Sequence, residues 1–285
     1  MTLTILITGA SSGIGRHAAI ELARAGHRVF VAARRLAALE ELQREAPVEP
    51  LSLDLDDPAS IAALVAELER RTEGRGLDVL VNNAGFATAG ALAELGDAAL
   101  RAQFETNVFG LMSLTRAVLP AMLARGAGRV INVSSVSGRI PAPILGAYHA
   151  SKYALEALSD ALRMELAPFG VRVSVIEPGT IRTEFASRAM AEATRERSSE
   201  SRYARVYERA ARLEQRFDRL AGDTTPVVRA IVHAATSARP RSRYVAPRRF
   251  ALMIAMVRIL PTCWVDRAMQ RMFGLTRDQL AIERR

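Results

Sequence analysis

The chain has 285 residues, 49% of them apolar, which suffices for a sizeable core, and no run of about twenty uninterrupted apolar residues that would span a bilayer. Its lone cysteine, Cys263, excludes an internal disulfide and suits a reducing, cytoplasmic setting. The net charge of +9 is unevenly placed: residues 1–184 carry 18 basic and 20 acidic side chains, and residues 185–285 carry 21 and 10. A basic C-terminal third can face anionic lipid, nucleic acid or an acidic ligand, or simply be a solvated helical surface.

In chain order, the opening run Thr2-Leu3-Thr4-Ile5-Leu6-Ile7 has no basic region before it and reads as a first strand rather than a secretory signal. Short apolar, β-branched runs follow, predicting strands at Leu3–Thr8, Arg28–Ala33, Val48–Leu53, Leu77–Asn82, Gly128–Ser134, Val171–Ile176 and Arg243–Ala246. Between them lie helical patterns such as Ile61-Leu64-Val65-Leu68 and Leu155-Leu158-Leu162. This alternation predicts an α/β fold, a doubly wound parallel sheet of Rossmann type with seven strands and right-handed crossovers. The expected catalytic domain is 1–247. Within it, 184–221 is rich in Arg, Glu and Ala and carries Phe185, Met190, Tyr203, Tyr207 and Phe217, so it reads as a helical substrate lid or as a solvated helix pair. Residues 248–285 form a C-terminal amphipathic helical extension.

After the first predicted strand comes Thr8-Gly9-Ala10-Ser11-Ser12-Gly13-Ile14-Gly15, opening a helical pattern. Gly9 permits a tight turn, Gly13 lets backbone approach a pyrophosphate, and Gly15 lets helix pack closely on strand. The helix N-terminus then presents free N–H groups to phosphate. At the end of the second strand, Val31-Ala32-Ala33-Arg34-Arg35 contains no acid to hold a free 2′-hydroxyl, and arginine suits a 2′-phosphate. NADP(H) is therefore favoured over NAD(H).

Of 39 basic residues only Lys152 is lysine. It stands four positions after Tyr148, a spacing that puts both on one helix face. An ammonium there favours the phenolate and lowers a pKa that is otherwise about 10, so that the tyrosine can exchange a proton near neutral pH. His149 falls on another face and is not expected to be catalytic. No metal site is expected.

Taken together, Thr8-Gly9-xxx-Gly13-x-Gly15, Asp54, Asn82-Asn83-Ala84-Gly85, Asn107, Ser135, Tyr148-xxx-Lys152 and Pro178-Gly179 resemble the short-chain dehydrogenase/reductase family over residues 1–247. The resemblance implies catalytic roles for Asn107, Ser135, Tyr148 and Lys152. Tyr148 would be the general acid/base, and Lys152 would hold the nicotinamide ribose and lower the tyrosine's pKa. Ser135 would bind the substrate oxygen, in preference to Ser134 or Ser137 on spacing, and Asn107 would keep a water in a relay behind Lys152. The implied cofactor contacts are Gly9, Ser11, Ser12, Gly13, Ile14, Gly15, Arg34, Arg35, Asp54 and Leu55 towards the adenosine end. Asn83, Ala84, Gly85, Tyr148, Lys152, Pro178, Gly179, Ile181 and Thr183 are implied towards the nicotinamide. A homodimer or homotetramer is implied, through the helices carrying Asn107 and Tyr148.

The loop Val136–Gly146 is mostly apolar and similar to that of the hydroxysteroid- and retinol-dehydrogenase branch. With the lid aromatics it points to a hydrophobic ketone, aldehyde or alcohol substrate. In the tail, Phe250-Ala251-Leu252-Met253-Ile254-Ala255-Met256-Val257 is too short to span a bilayer. Flanked by arginines, it can lie peripherally at a membrane surface, pack over the substrate mouth, or meet a second subunit. Nucleic acid is not an expected partner, because no base-stacking or groove-reading motif accompanies the charge. Two rival readings are a dinucleotide-binding sensor or scaffold, which would be expected to lack Tyr148, Lys152 or Ser135, and an extended sugar-modifying relative, which would carry a larger C-terminal domain.

Overall fold

The computed structural model describes residues 2–182, 189 and 201–280. Seven strands form one parallel sheet: β1 (Thr4–Thr8), β2 (Arg28–Ala33), β3 (Val48–Ser52), β4 (Val79–Asn82), β5 (Gly128–Val133), β6 (Val171–Pro178) and β7 (Arg243–Ala246), in the spatial order β3-β2-β1-β4-β5-β6-β7. All seven lie where the apolar runs predict them, to within two residues at each end.

Alternation along each strand divides the apolar residues between two faces. Ile5, Ile7, Val29, Val31, Val79 and Val81 pack with Leu22 of α1 (Gly13–Arg24), Leu39 and Leu42 of α2 (Leu36–Glu45) and, further along the chain, Ile231. On the opposite face Leu6, Phe30, Leu80, Val130 and Val173 meet Leu64 and Leu68 of α3 (Pro58–Arg71). There Pro58 follows the N-cap Asp57, which accepts a hydrogen bond from the Ala59 N–H at 2.9 Å.

Next come α4 (Asp97–Phe104), a π-helical turn at Glu105–Gly110, and α5 (Leu111–Arg125). The combined helix is apolar and long enough to cross a membrane by composition, but half of its most apolar window is buried in the domain. Then follow α6 (Gly146–Leu166), α7 (Ala204–Leu220) and α8 (Thr225–Thr236), which carries Ile231. The last three helices are α9 (Arg249–Ile259), α10 (Thr262–Phe273) and α11 (Arg277–Leu280). In α10 a polar face opposes an apolar one, but α9 is polar only at its terminal arginines, so "amphipathic" does not describe it. A third apolar cluster joins Ala87, Ala91, Ile144, Tyr148, Tyr207 of α7 and Phe273 of α10. The helical extension thus packs into the domain.

Sheet order reverses at the β1/β4 boundary, which in open parallel sheets opens a crevice at the carboxyl edge. The segments following β1, β4, β5 and β6 converge on that edge.

Candidate active site

The turn after β1 is built for close approach. Gly9 has φ +67° and Gly13 φ +58°, left-handed values that glycine adopts without strain. A Cβ on Gly9 would come within 2.7 Å of the Ala84 Cα, and one on Gly15 would strike Asn83 Nδ2 and lie 2.7 Å from the Gly9 carbonyl oxygen. Asn83 closes the same corner, donating from Nδ2 to the carbonyls of Thr8 at 3.0 Å and Gly9 at 3.2 Å. Thr8 Oγ1 accepts from the N–H groups of Asn83 and Ala84 at 3.1 and 3.0 Å. Ser12, the N-cap of α1, makes no side-chain bond to the first turn, so those N–H groups face outward. This is a cradle for an anion at a helix N-terminus.

Tyr148 and Lys152 lie one turn apart on α6, both buried. The Tyr148 phenol hydrogen-bonds the Ser135 hydroxyl. Ser135 Oγ accepts from the Ser137 N–H at 3.0 Å and donates to the Pro178 carbonyl at 3.5 Å. Lys152 Nζ donates to the Val133 carbonyl at 2.9 Å and lies 5.9 Å from the Tyr148 ring centroid. Burial pushes the Tyr148 phenol up to about 12, with the Ser135 bond opposing, and pushes the Lys152 ammonium down to about 8, with the Glu156 charge opposing. This runs against the expectation of a lowered tyrosine pKa: burial of the phenol outweighs the lowering that Ser135 supplies.

Asn107 stands in the π-helical turn. Its Nδ2 donates to the Phe86 carbonyl at 3.0 Å and to Ser151 Oγ at 3.1 Å, and its Oδ1 accepts from the Phe86 N–H at 3.1 Å. A Cβ on Gly85 would sit 3.0 Å from Asn107 Oδ1 and 3.8 Å from Lys152 Nζ, so the segment after β4 passes directly over both.

The match to known proteins fits this geometry. A sequence profile of short chain dehydrogenases matches residues 3–194. The chain belongs to the short-chain dehydrogenase family. An oxidoreductase of uncharacterized role from Escherichia coli K12, YbbO, is 46% identical over 185 residues, 65% of this chain and 68% of that one. Human 17-beta-hydroxysteroid dehydrogenase type 1 is 36% identical over 265 residues, 88% of this chain and 80% of that one. Among solved structures, a short-chain dehydrogenase/reductase from Burkholderia phymatum in complex with NAD superposes with a TM-score of 0.78 at 27% identity, covering 90% of this chain and 93% of that one. One from Sphingobium yanoikuyae in complex with NADPH gives 0.70 at 28%, covering 99% and 97%. The glycine cradle of this chain has the form that the pyrophosphate of such a dinucleotide requires.

Other predicted positions of this short-chain dehydrogenase fall into place unevenly. Ser11 and Ser12 are at the glycine cradle, and Arg34 and Arg35 are exposed at the end of β2, bonded to no described residue. Asp54 sits at the carboxyl end of β3, where its Oδ1 accepts from the Asp56 N–H at 3.1 Å. Leu55, by contrast, directs its side chain into the core, while Ile14 is partly buried against the other one. The Gly179 N–H donates to the Ala246 carbonyl at 2.9 Å, and Ile181 bridges to Gly222. Thr183, like Phe185 and Met190 of the expected lid, lies outside the described residues.

Sequence reasoning missed the supporting charges. Arg243 of β7 bonds Glu156 of α6, Glu177 of β6 at 2.6 Å and Asp160 at 2.8 Å, while Arg139 bonds Glu177 at 2.9 Å. These pairs tie together the Ser135 loop, the Tyr148 helix and the strand leading to Pro178-Gly179. Lone charged residues inside strand-like runs were the available signal, because a charge in a strand covered on both faces needs a buried partner. His149 likewise serves the loop: its Nδ1 pairs with the Ser137 carbonyl at 2.9 Å, and burial holds its imidazole pKa below the usual value.

Proposed function

We propose that this short-chain dehydrogenase interconverts a hydrophobic ketone or aldehyde and the corresponding alcohol, of steroid, retinoid or long-chain type, using NADP(H) with Tyr148 as general acid/base. The observation that carries the reading is the Tyr148–Ser135 hydrogen bond inside an apolar wall of Ala87, Ala91, Ile144, Tyr207 and Phe273, with Lys152 one turn behind. When bound, the dinucleotide supplies the hydride donor or acceptor. The chain's own residues do the rest. The first turn of α1 binds pyrophosphate, and Arg34, with no acid near it at the end of β2, pairs a 2′-phosphate. Ser135 holds the substrate oxygen beside the Tyr148 hydroxyl. Tyr148, protonated throughout the neutral range, gives its proton to that oxygen as charge develops in reduction and takes one back in oxidation. Lys152, while protonated, stabilises the phenolate left behind.

A homodimer or homotetramer through the helices carrying Asn107 and Tyr148 is part of this reading, supported by Phe109, Leu123 and Met164 standing exposed there. So is a cytoplasmic location. Titration with NADPH and NADH, then turnover of a panel of apolar ketones, retinals and aldehydes, tests the proposal. Tight NADPH binding with turnover supports it. Binding with no turnover on any member points to a sensor or to a substrate outside the panel, and failure to bind either nucleotide overturns the proposal.

A further inference from the structure

Helix α9 is apolar almost all round, yet it buries only one stripe. Ile254 is buried, Phe250 and Val257 are half-buried on the same side, and the Phe250 ring occupies the space a Cβ on Gly179 would need. The opposite stripe is bare: Leu252 is 69% exposed, Met256 50% and Ile259 83%, at the i, i+4, i+7 spacing of one helix face. The turn into α10 continues it with Leu260 and then Trp264, which is 59% exposed. A helix with so little polar surface is ordinarily enclosed. Here the domain encloses one side only.

The charges around this patch select what covers the other side. Arg248 and Arg258 bracket α9, and Arg267 and Arg271 share the outward stripe of α10 with Trp264, at positions i+3 and i+7. From Phe250 to Phe273 the one acidic residue is Asp266, two positions from Trp264 and so off its stripe, against Arg258, Arg267 and Arg271. A second copy laid against this patch by a two-fold axis would set arginines against arginines. A bilayer with anionic headgroups pairs them instead, while eleven residues in α9 are too few to span it. We infer that the outer face of α9 and the start of α10 form a peripheral docking surface for an anionic lipid membrane, with Leu252, Met256, Ile259 and Trp264 entering the interface and the arginines at headgroup level. The surface is argued independently of the reaction, and its test reads binding and not turnover.

Trp264 is the only tryptophan in the chain, so its emission reports this patch alone. The full chain is mixed with vesicles of phosphatidylcholine plus phosphatidylglycerol, or of phosphatidylcholine alone, and followed by co-sedimentation and Trp264 emission. Expected are sedimentation and a blue shift with the anionic vesicles, reversed by high salt. Leu252→Ser with Ile259→Ser, both at exposed positions, should abolish the shift. Arg258→Gln and Arg267→Gln should each weaken partitioning about fivefold. Absence of binding to anionic vesicles, or equal binding to both kinds, overturns the inference. So does a blue shift that grows with protein concentration in the absence of vesicles, which would mean that a second copy covers the patch.

Discussion

Burial shifts Tyr148 and Lys152 in opposite directions, the phenol up to about 12 and the ammonium down to about 8. At neutral pH the tyrosine is therefore a proton donor, and the lysine keeps its charge only below about 8. Reduction rates should hold steady below that value and fall as pH rises through it, because a neutral amine no longer supports the phenolate. Glu156→Gln should move the descending limb to lower pH, since the Glu156 charge raises the lysine pKa; an unmoved limb in a pH–rate profile would assign it to another group. Tyr148→Phe should cut turnover by about 100- to 10,000-fold with NADPH affinity retained, as measured by single-turnover kinetics and nucleotide titration. Arg34→Ala should weaken NADPH by about 10- to 100-fold, the value of a charge-assisted hydrogen bond, and leave NADH nearly unchanged.

The elements divide into those whose pattern is local and those whose reason is not. All seven strands and the Tyr148–Lys152 pairing were legible in the sequence, because strand alternation and four-residue helix spacing are properties of short windows. The glycine loop was legible too, and the structure adds what each glycine meets: Gly15→Ala forces its new Cβ into Gly9 and Asn83, and should lower dinucleotide affinity about tenfold or more in an equilibrium titration. The π-helical turn at Asn107 was not legible. It follows from the crowding of Gly110 against the Leu55 carbonyl and the pull of the Phe86 backbone on the Asn107 side chain, contacts between segments far apart in sequence. The partners of Glu156, Glu177 and Arg243 were hidden for the same reason, and so was the burial that inverts the Tyr148 shift.

Across the whole molecule, those charges act as a brace. Arg243, on the last strand, reaches back to α6 and β6, so the closing strand locks residues placed 66 to 87 positions earlier. Arg243→Met would leave Glu177, which is almost wholly buried, dependent on Arg139, and should cost about 3 kcal/mol in urea unfolding. The tail is equally built in, since Phe250 fills the space at Gly179 and Phe273 joins the wall around Tyr148. Cutting it at Arg248 would damage the site as well as remove a surface, which is why point substitutions separate the two. A chain with one lysine also carries its own clock. Lys152 is 5% exposed, so an activated ester finds no other side-chain amine and reaches this one only when the helix around it opens. The rate of acylation at a single mass-resolved position thus measures the breathing of the reaction centre in the intact molecule, with neither substrate nor mutation.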